Sequence, residues 1–410
     1  MLRIFGLILV LVLTSFYFFP FGLTFLPEVF NTKNILALVG VFVFFWRAVF
    51  KRKMKIPIEV IGATVLAICF SIICLISVDL NNTSDYSYST YFVSFFVWLL
   101  SSFTVVFLMF LFHKKVDVAL ITSYLSVVCS LQCILALIIS FNPEFQFWVD
   151  TNILQDQEFL KKSNRLYGIG ASLDNAGVRF SIVLILISHV LTNSIEVRKN
   201  QRLLLLLIIS FFIIAFIGNM ISRTTTVGLV ISIIGFIVNS EIGRFILKEK
   251  FLKLYLVFFL VLSFGVYLGA YLYKTDLEYR HLIRFAFEGF FNWVETGVWR
   301  TNSTDILTHN MWVWPTDLRT WLIGSGLFSN WIFNTDIGYC RFILYCGLSG
   351  LVVFSVFFVY HSIVFAKIYR NYLFMFLSLG VLTFLIWIKV STDIFQVYAL
   401  FYSVLFIKKN

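Results

Sequence analysis

The stretch LLLLLIISFFIIAFIGNMISRTTTVGLVISIIGFIV, residues 203–238, decides the fold. Its two apolar runs, residues 203–218 and 227–238, show no polar alternation, so they do not read as strands of a membrane barrel. In hydrocarbon a helix satisfies its own backbone hydrogen bonds, and two helical runs this close in sequence make a hairpin. The hairpin tip carries Arg223 among Ser222, Thr224, Thr225 and Thr226, with no acidic residue between Glu196 and Glu241. An ionisable side chain at membrane depth costs about 2.5–3.5 kcal/mol, so a permanent charge here requires a reason.

The apolar pattern repeats outward from this hairpin. The chain has 410 residues, of which 60% are hydrophobic, and a mean hydropathy of +0.92, more apolar surface than a water-soluble fold can hide. Spans are expected at residues 4–19, 35–50, 58–78, 91–112, 118–141, 172–192, 203–221, 224–239, 251–272, 340–362, 371–388 and 390–407. The expected architecture is an all-α polytopic membrane protein with about twelve transmembrane helices. Residues 1–272 hold the first nine, 273–339 form a large external loop, and 340–410 hold the last three. The 50 phenylalanines are lipid-facing and helix-packing material. The six cysteines lie in or beside apolar runs without C-x-x-C spacing and read as small buried residues. The apolar run after Arg3 has no small-x-small cleavage site behind it and reads as a retained first span.

The net charge of +11 fits basic cytoplasmic loops rather than a nucleic-acid partner. Arg47, Lys51, Arg52, Lys53 and Lys55 crowd the second loop, Lys114 and Lys115 the fourth, and Arg198, Lys199 and Arg202 the sixth. Arg244, Lys248, Lys250 and Lys253 follow in the eighth, Lys367 and Arg370 in the tenth, and Lys408 and Lys409 close the chain. This places both termini in the cytoplasm and the odd-numbered loops outside. Two of those are long: residues 142–171, with Asp150, Asp156, Glu158 and Arg165, and residues 273–339. Loops of such length carry their own structure or a function.

Within the larger loop, residues 279–295 read YRHLIRFAFEGFFNWVE. Arg280, Arg284, Glu288, Asn292 and Glu295 fall on one helical stripe, Ile283, Phe287, Phe290 and Val294 on the other. The spacing predicts one amphipathic helix in the outer interface, with Arg284 and Glu288 able to pair at i,i+4. Trp293, Trp299, Trp312, Trp314, Trp321 and Trp331 crowd the same loop, where sugar stacking and interface anchoring explain them equally.

Several cations then stand on the outer side, against the charge bias: Arg223, Arg179 two turns into the sixth span, Lys389 at the last hairpin tip, Arg341 opening the tenth span, and Arg165. Each alone could snorkel to headgroups. Together, with few carboxylates beside them in sequence, they suit an external anion such as a lipid-borne phosphate or diphosphate, which the guanidinium fork matches.

Other residues add a resemblance. WLIGSGLF (residues 321–328) and NTDIGYCRFILYCGLSG (334–350) resemble the C-terminal signature of the O-antigen polymerase family, a G-x-G turn before a T-D-x-G-Y-x-R run. RFAFEGF (284–290) and NSTDIL (302–307) resemble that family's large periplasmic loop. ISRTTT is similar to the S-R-T motif shared with the related O-antigen ligase superfamily, and RLYGIGASLDNAG (165–177) to an R-x-x-G…P-N segment. The resemblance covers about residues 165–390. Asp174 stands where relatives often have proline, and Ser325 where the polymerases often have an acid. Thr335 and Asp336 replace a His-Asn pair of the ligases, which favours polymerase over ligase.

The resemblance implies a multi-pass protein of the bacterial inner membrane in lipopolysaccharide biosynthesis. It would transfer the growing glycan from undecaprenyl pyrophosphate to the non-reducing end of an incoming lipid-linked repeat unit, with neither metal nor cofactor. Its partners would be the lipid-linked oligosaccharides, the bilayer and a chain-length regulator protein. Negative charge develops on the departing diphosphate, and fixed cations stabilise it. Arg223 is the candidate catalytic cation, with Arg165, Arg179 and Arg341 on the diphosphate. Asp336 is the candidate general base for the acceptor hydroxyl, with a helix N-cap as its alternative role. Arg284, Tyr339 and Lys389 are candidate substrate contacts, and His309 is an alternative base. The glycines around Gly324, Gly326 and Gly338 serve backbone approach or packing. His113, His189 and His361 read as headgroup contacts at cytoplasmic ends. An O-antigen ligase and a flippase for the same lipid-linked sugar are the competing readings; the flippase would carry internal pseudo-symmetry and midplane charges, which the two dissimilar halves lack.

Overall fold

The computed structural model describes residues 2–50, 56–155, 160, 165–240, 249–329 and 331–408. Lys51, Arg52, Lys53, Lys55, Asp156, Glu158, Arg244, Lys248 and Lys409 lie outside the described residues, as do the side chains of Arg3, Lys250, Lys253, Trp331 and Lys408.

The chain is helical nearly throughout: α1 (Leu2–Phe18), α2 (Thr32–Phe50), α3 (Ile58–Leu80), α4 (Tyr91–His113), α5 (Val118–Phe141), α6 (Pro143–Asn152), α7 (Leu173–Asn193), α8 (Ile195–Lys199) and α9 (Gln201–Ile221). Then come α10 (Thr225–Ser240), α11 (Glu249–Thr275), α12 (Leu277–Ala286), α13 (Glu288–Thr296), α14 (Asn302–Asn310), α15 (Leu318–Ile323), α16 (Gly338–Ile368), α17 (Leu373–Ile386) and α18 (Phe395–Lys408). Two short strands, β1 (Gly22–Leu23) and β2 (Ile153–Leu154), pair antiparallel. Among the described residues eight helices are long and apolar enough to cross a membrane: α2, α3, α4, α5, α7, α9, α16 and the Tyr255–Thr275 part of α11. Apolar helices at α1, α10, α17 and α18 are shorter. Large apolar side chains stand fully outward, Phe42 and Ile58 each at 75% exposure, as only a lipid-facing surface tolerates. The protein is an all-α polytopic membrane protein.

The helices gather into two compact units, Met1–Leu36 with Val105–Trp299, and Ala37–Thr104 with Arg300–Asn410. In the first unit α7 is the centre. Its residues from Ala176 to Thr192 are buried except Arg179, and a helix apolar on every face belongs inside a bundle. It packs on α5, α9 and α10. Small residues set the α7–α10 approach: the Gly228 N–H donates to Ser181 Oγ (3.2 Å), and Ser181 Oγ donates to the Thr224 carbonyl (3.0 Å). In lipid, such close backbone contact and shared hydrogen bonds hold helices together where the hydrophobic effect does not.

In the second unit α18 is the buried helix, tied to α4 by Ser102 Oγ and Ser403 Oγ at 2.7 Å. An aromatic cluster fills the space between α3, α16 and α17, with Phe70 stacked on Phe354 at 4.2 Å and Phe354 on the buried Trp387 at 5.4 Å. Helix α16 begins at Gly338 and breaks at Gly347, whose φ of +69° leaves the helical region. A break exposes carbonyls that lipid cannot satisfy. The G-S-G turn after α15 fills the gap: Ser325 N–H donates to the Leu344 carbonyl (2.7 Å), Gly326 N–H to that of Tyr345 (3.0 Å), and Ser77 Oγ to Tyr345 as well (2.7 Å). Gly324 and Gly326 have φ of +88° and +69°, so these glycines serve helix packing here.

Two local readings change. The single amphipathic helix is two helices, α12 and α13, meeting at Phe287, whose ψ of 29° interrupts the turn. His189 and His361 are not headgroup contacts; both are fully buried in helix packing.

Candidate anion site at the α9–α10 hairpin

The hairpin tip is closed by its own hydroxyls. Thr225 Oγ1 donates to the Gly218 carbonyl (3.1 Å) and Thr226 Oγ1 to Asn219 Oδ1 (2.6 Å). Thr226 and Val227 N–H groups bond to the Arg223 and Thr224 carbonyls at 3.0 and 3.1 Å. This turn fixes the backbone of Arg223 and leaves its side chain to reach outward.

The missing acids come from elsewhere in the chain. Arg223 pairs with Glu288 at the start of α13, the two side chains being 16% and 17% exposed. Asp174, in the first turn of α7, accepts from Ser222 Oγ (2.9 Å) and Thr224 Oγ1 (2.5 Å). Gly177 makes this contact possible, since a Cβ there would lie 2.6 Å from Ser222 Oγ. Arg165 joins from the preceding loop. Its guanidinium lies 5.1 Å from the Phe285 ring centre, and that of Arg223 lies 4.3 Å from the same ring. One aromatic ring thus carries two cations on its π system, each contact worth about 0.5–2 kcal/mol. Burial pulls the Arg165 guanidinium below the usual arginine range; the Asp174 charge opposes that and the Arg223 charge adds to it. Among the described residues Arg165 Nε is buried with no hydrogen-bond partner.

An apolar groove of about 1150 Å³ lies along α9. Its walls are α9 from Ile209 to Met220, α11 from Leu260 to Lys274, and the Ile283, Phe287, Phe290 and Phe291 side chains of α12 and α13. Gly265, Gly269 and Ala270 keep one wall low. At 1.5 Å per residue the α9 wall is roughly 16 Å long, about half a hydrocarbon core of ~30 Å. Met220 ends it three residues before Arg223, and Phe287 adjoins Glu288.

Arg179 lies on α7 with its guanidinium 5.5 Å from the Phe19 ring. Arg284 does not pair with Glu288; it makes a bidentate pair with Glu295 at 2.8 and 2.7 Å, which raises the Arg284 pKa and lowers that of Glu295. Arg341, Asp336, Tyr339 and Lys389 belong to the second unit. Arg341 donates to the Phe328 carbonyl (2.6 Å) with its guanidinium 4.0 Å from the Phe328 ring. Asp336 is exposed just before α16, whose N-cap is Ile337, so Asp336 is not the cap. Tyr339 donates to the Phe384 carbonyl (2.9 Å), and Lys389 is half-buried in the turn after α17. His309 is exposed on α14.

Asp85 also escaped sequence reasoning. It accepts from Phe328 N (2.6 Å), Ser329 N (2.5 Å), Ser329 Oγ (2.7 Å) and Ser87 Oγ (2.5 Å). Burial pushes its carboxyl up, but these donors outweigh burial and hold it at about 2. The carboxylate is saturated and acts as a clasp between two loops. Glu288 carried a signal, its place on the polar stripe; Asp174 carried none beyond its position at a helix start. Among the described residues no group of three or more His, Cys, Asp or Glu could hold a metal ion. No family model, curated protein or solved structure matches the chain.

Proposed function

We propose that this protein is an O-antigen-type polymerase, a glycosyltransferase that moves a growing glycan from a polyprenyl diphosphate to an incoming lipid-linked repeat unit. The observation that carries the proposal is the Arg165–Phe285–Arg223 arrangement, close in sequence to Met220 and Phe287 in the walls of an apolar groove of one-leaflet length. In lipid such a groove adds little affinity, because the bilayer is equally apolar. Its use is to align a prenyl chain so that the head group meets the guanidinium groups. The diphosphate then competes with Glu288 for Arg223 and meets Arg165 Nε, which has no hydrogen-bond partner among the described residues. As the glycosidic bond breaks, charge grows on the leaving oxygens, and held cations stabilise it more than they stabilise the bound ground state.

In this reading the hairpin faces the periplasm, both termini are cytoplasmic, the four shorter apolar helices complete twelve spans, and the membrane is the bacterial inner membrane. The acceptor hydroxyl gives its proton to a general base. Arg223→Lys keeps the charge but loses the fork, and is expected to reduce polymer at least about tenfold, a site of bidentate recognition being intolerant of this exchange. The decisive experiment is the glycan ladder of a strain lacking the gene. Loss of long chains with a single repeat unit still on lipid A core supports the polymerase. Absence of any repeat unit on the core, with lipid-linked polymer accumulating, identifies a ligase instead.

A further inference from the structure

Residues 311–314 alternate in direction. Met311 and Val313 pack into a cluster with Ile337, Cys340 and Leu344. Trp312 and Trp314 stand outside it, 41% and 42% exposed. Pro315 follows, which favours an extended Trp314 and keeps the alternation. The outward rings do not stand singly. Trp312 and Trp314 have ring centres 5.6 Å apart at 32°, and Trp314 stacks on Trp321 at 5.7 Å and 12°. Trp321 sits on α15, whose first turn Asp317 caps through Thr320 N (2.8 Å) and Thr320 Oγ1 (2.7 Å). Thr335 Oγ1 donates to the Met311 carbonyl at 2.5 Å. The ladder of indoles is therefore anchored to the residue next to Asp336.

We propose that Trp312, Trp314 and Trp321 form a carbohydrate platform that takes the face of a pyranose ring of the glycan. The inference rests on the reading that the chain handles lipid-linked sugar. An aromatic face carries partial negative charge and attracts the partly positive C–H groups of a sugar face, while the sugar hydroxyls stay at the rim. Three indoles in series, tilted and stacked on one another, give an aromatic surface longer than one ring, which suits an oligosaccharide better than a single sugar. Interface anchors need no such stacking, since each indole works alone by placing its N–H at the headgroup level.

The test uses the full chain in phosphatidylcholine nanodiscs and an array of lipid-free bacterial surface oligosaccharides. Wild type is expected to bind at least one glycan, Trp314→Ala about tenfold or more weakly, and Trp314→Phe within about threefold, as for a dominant aromatic contact truncated or conserved. Trp293→Ala, exposed outside the ladder, is expected to bind as wild type. Trp314→Phe keeps the test open should the alanine variant fold poorly. Failure of wild type to bind any glycan, or equal binding by Trp314→Ala, overturns the platform. So does headgroup-brominated lipid quenching that falls when Trp314 is changed to Phe, since that identifies an interface anchor. The array reads binding without catalysis, so an intact ladder in the null strain would sink the polymerase reading and leave the array result standing.

Discussion

The pairing of Arg223 with Glu288 makes a demand on the proposed chemistry that can be measured. Two unit charges 4 Å apart attract by about 4 kcal/mol at the effective dielectric of about 20 that suits such half-covered sites. After desolvation a charge-assisted hydrogen bond retains about 1.5–3 kcal/mol. A diphosphate that binds Arg223 must displace Glu288 or share the guanidinium with it. Glu288→Gln removes the competing charge and keeps the side-chain volume. The same substitution leaves Arg223 uncompensated. Breaking a fully buried pair costs about 3–5 kcal/mol, and the 16–17% exposure of these side chains reduces that figure. Glu288→Gln is therefore expected to melt at a lower temperature yet bind a prenyl diphosphate about ten- to a hundredfold more tightly. Added ligand should restore its stability, because the diphosphate replaces the lost counter-charge. Thermal unfolding in nanodiscs, titrated with farnesyl diphosphate, reads all of this. Arg223→Gln should show almost no ligand-induced shift. If Glu288→Gln shows a smaller shift than wild type, Glu288 orients Arg223 rather than competing for it, and the reasoning fails.

Two further perturbations test the framework around the sites. Asp85 is held at about 2 against an ordinary 3.8, so it contributes stability that is fully present above pH ~4 and lost as pH falls through about 2; Asp85→Asn is expected to cost about 2 kcal/mol at neutral pH, with wild type and variant unfolding curves converging toward pH 2. Gly347→Ala forces a φ of +69° on an L-residue and presses a Cβ into the Leu322 backbone, so a loss of at least about 2 kcal/mol is expected in a detergent melting assay, against little change for Gly297→Ala's neighbour-free surroundings beyond the backbone term.

The fold was readable because lipid leaves the backbone few choices. Each expected span falls on an apolar helix, and the hairpin at Arg223 turns where the hydroxyl cluster interrupts the apolar runs. Chain-local signals failed where partners come from far away in sequence. Arg223 looked unpaired because Glu288 is 65 residues downstream. The i,i+4 rule paired Arg284 with Glu288, but Phe287 breaks the helix and turns Glu288 inward, which leaves Arg284 to Glu295. The G-S-G turn resembled a site motif, yet its conformation is explained by the broken helix at Gly347. No periodicity could reveal that a loop would supply the hydrogen bonds of a distant kink.

The physics of the groove bears on which part of a lipid substrate decides recognition. A prenyl chain leaving bilayer for groove exchanges one apolar medium for another, so chain length should alter affinity little. The head group differs: in water its charges are solvated, whereas in the proposed reading it would meet Arg223 and Arg165 on a ring that excludes water from one side of each. Recognition then depends on charge and on the guanidinium geometry, and the groove contributes orientation. The existing ion pair fits that logic. Without ligand, two arginines beside one phenylalanine would repel each other in a poorly solvated setting. Glu288 and Asp174 hold them together, and a doubly charged head group can take over that task from Glu288 without the arginines having to move far.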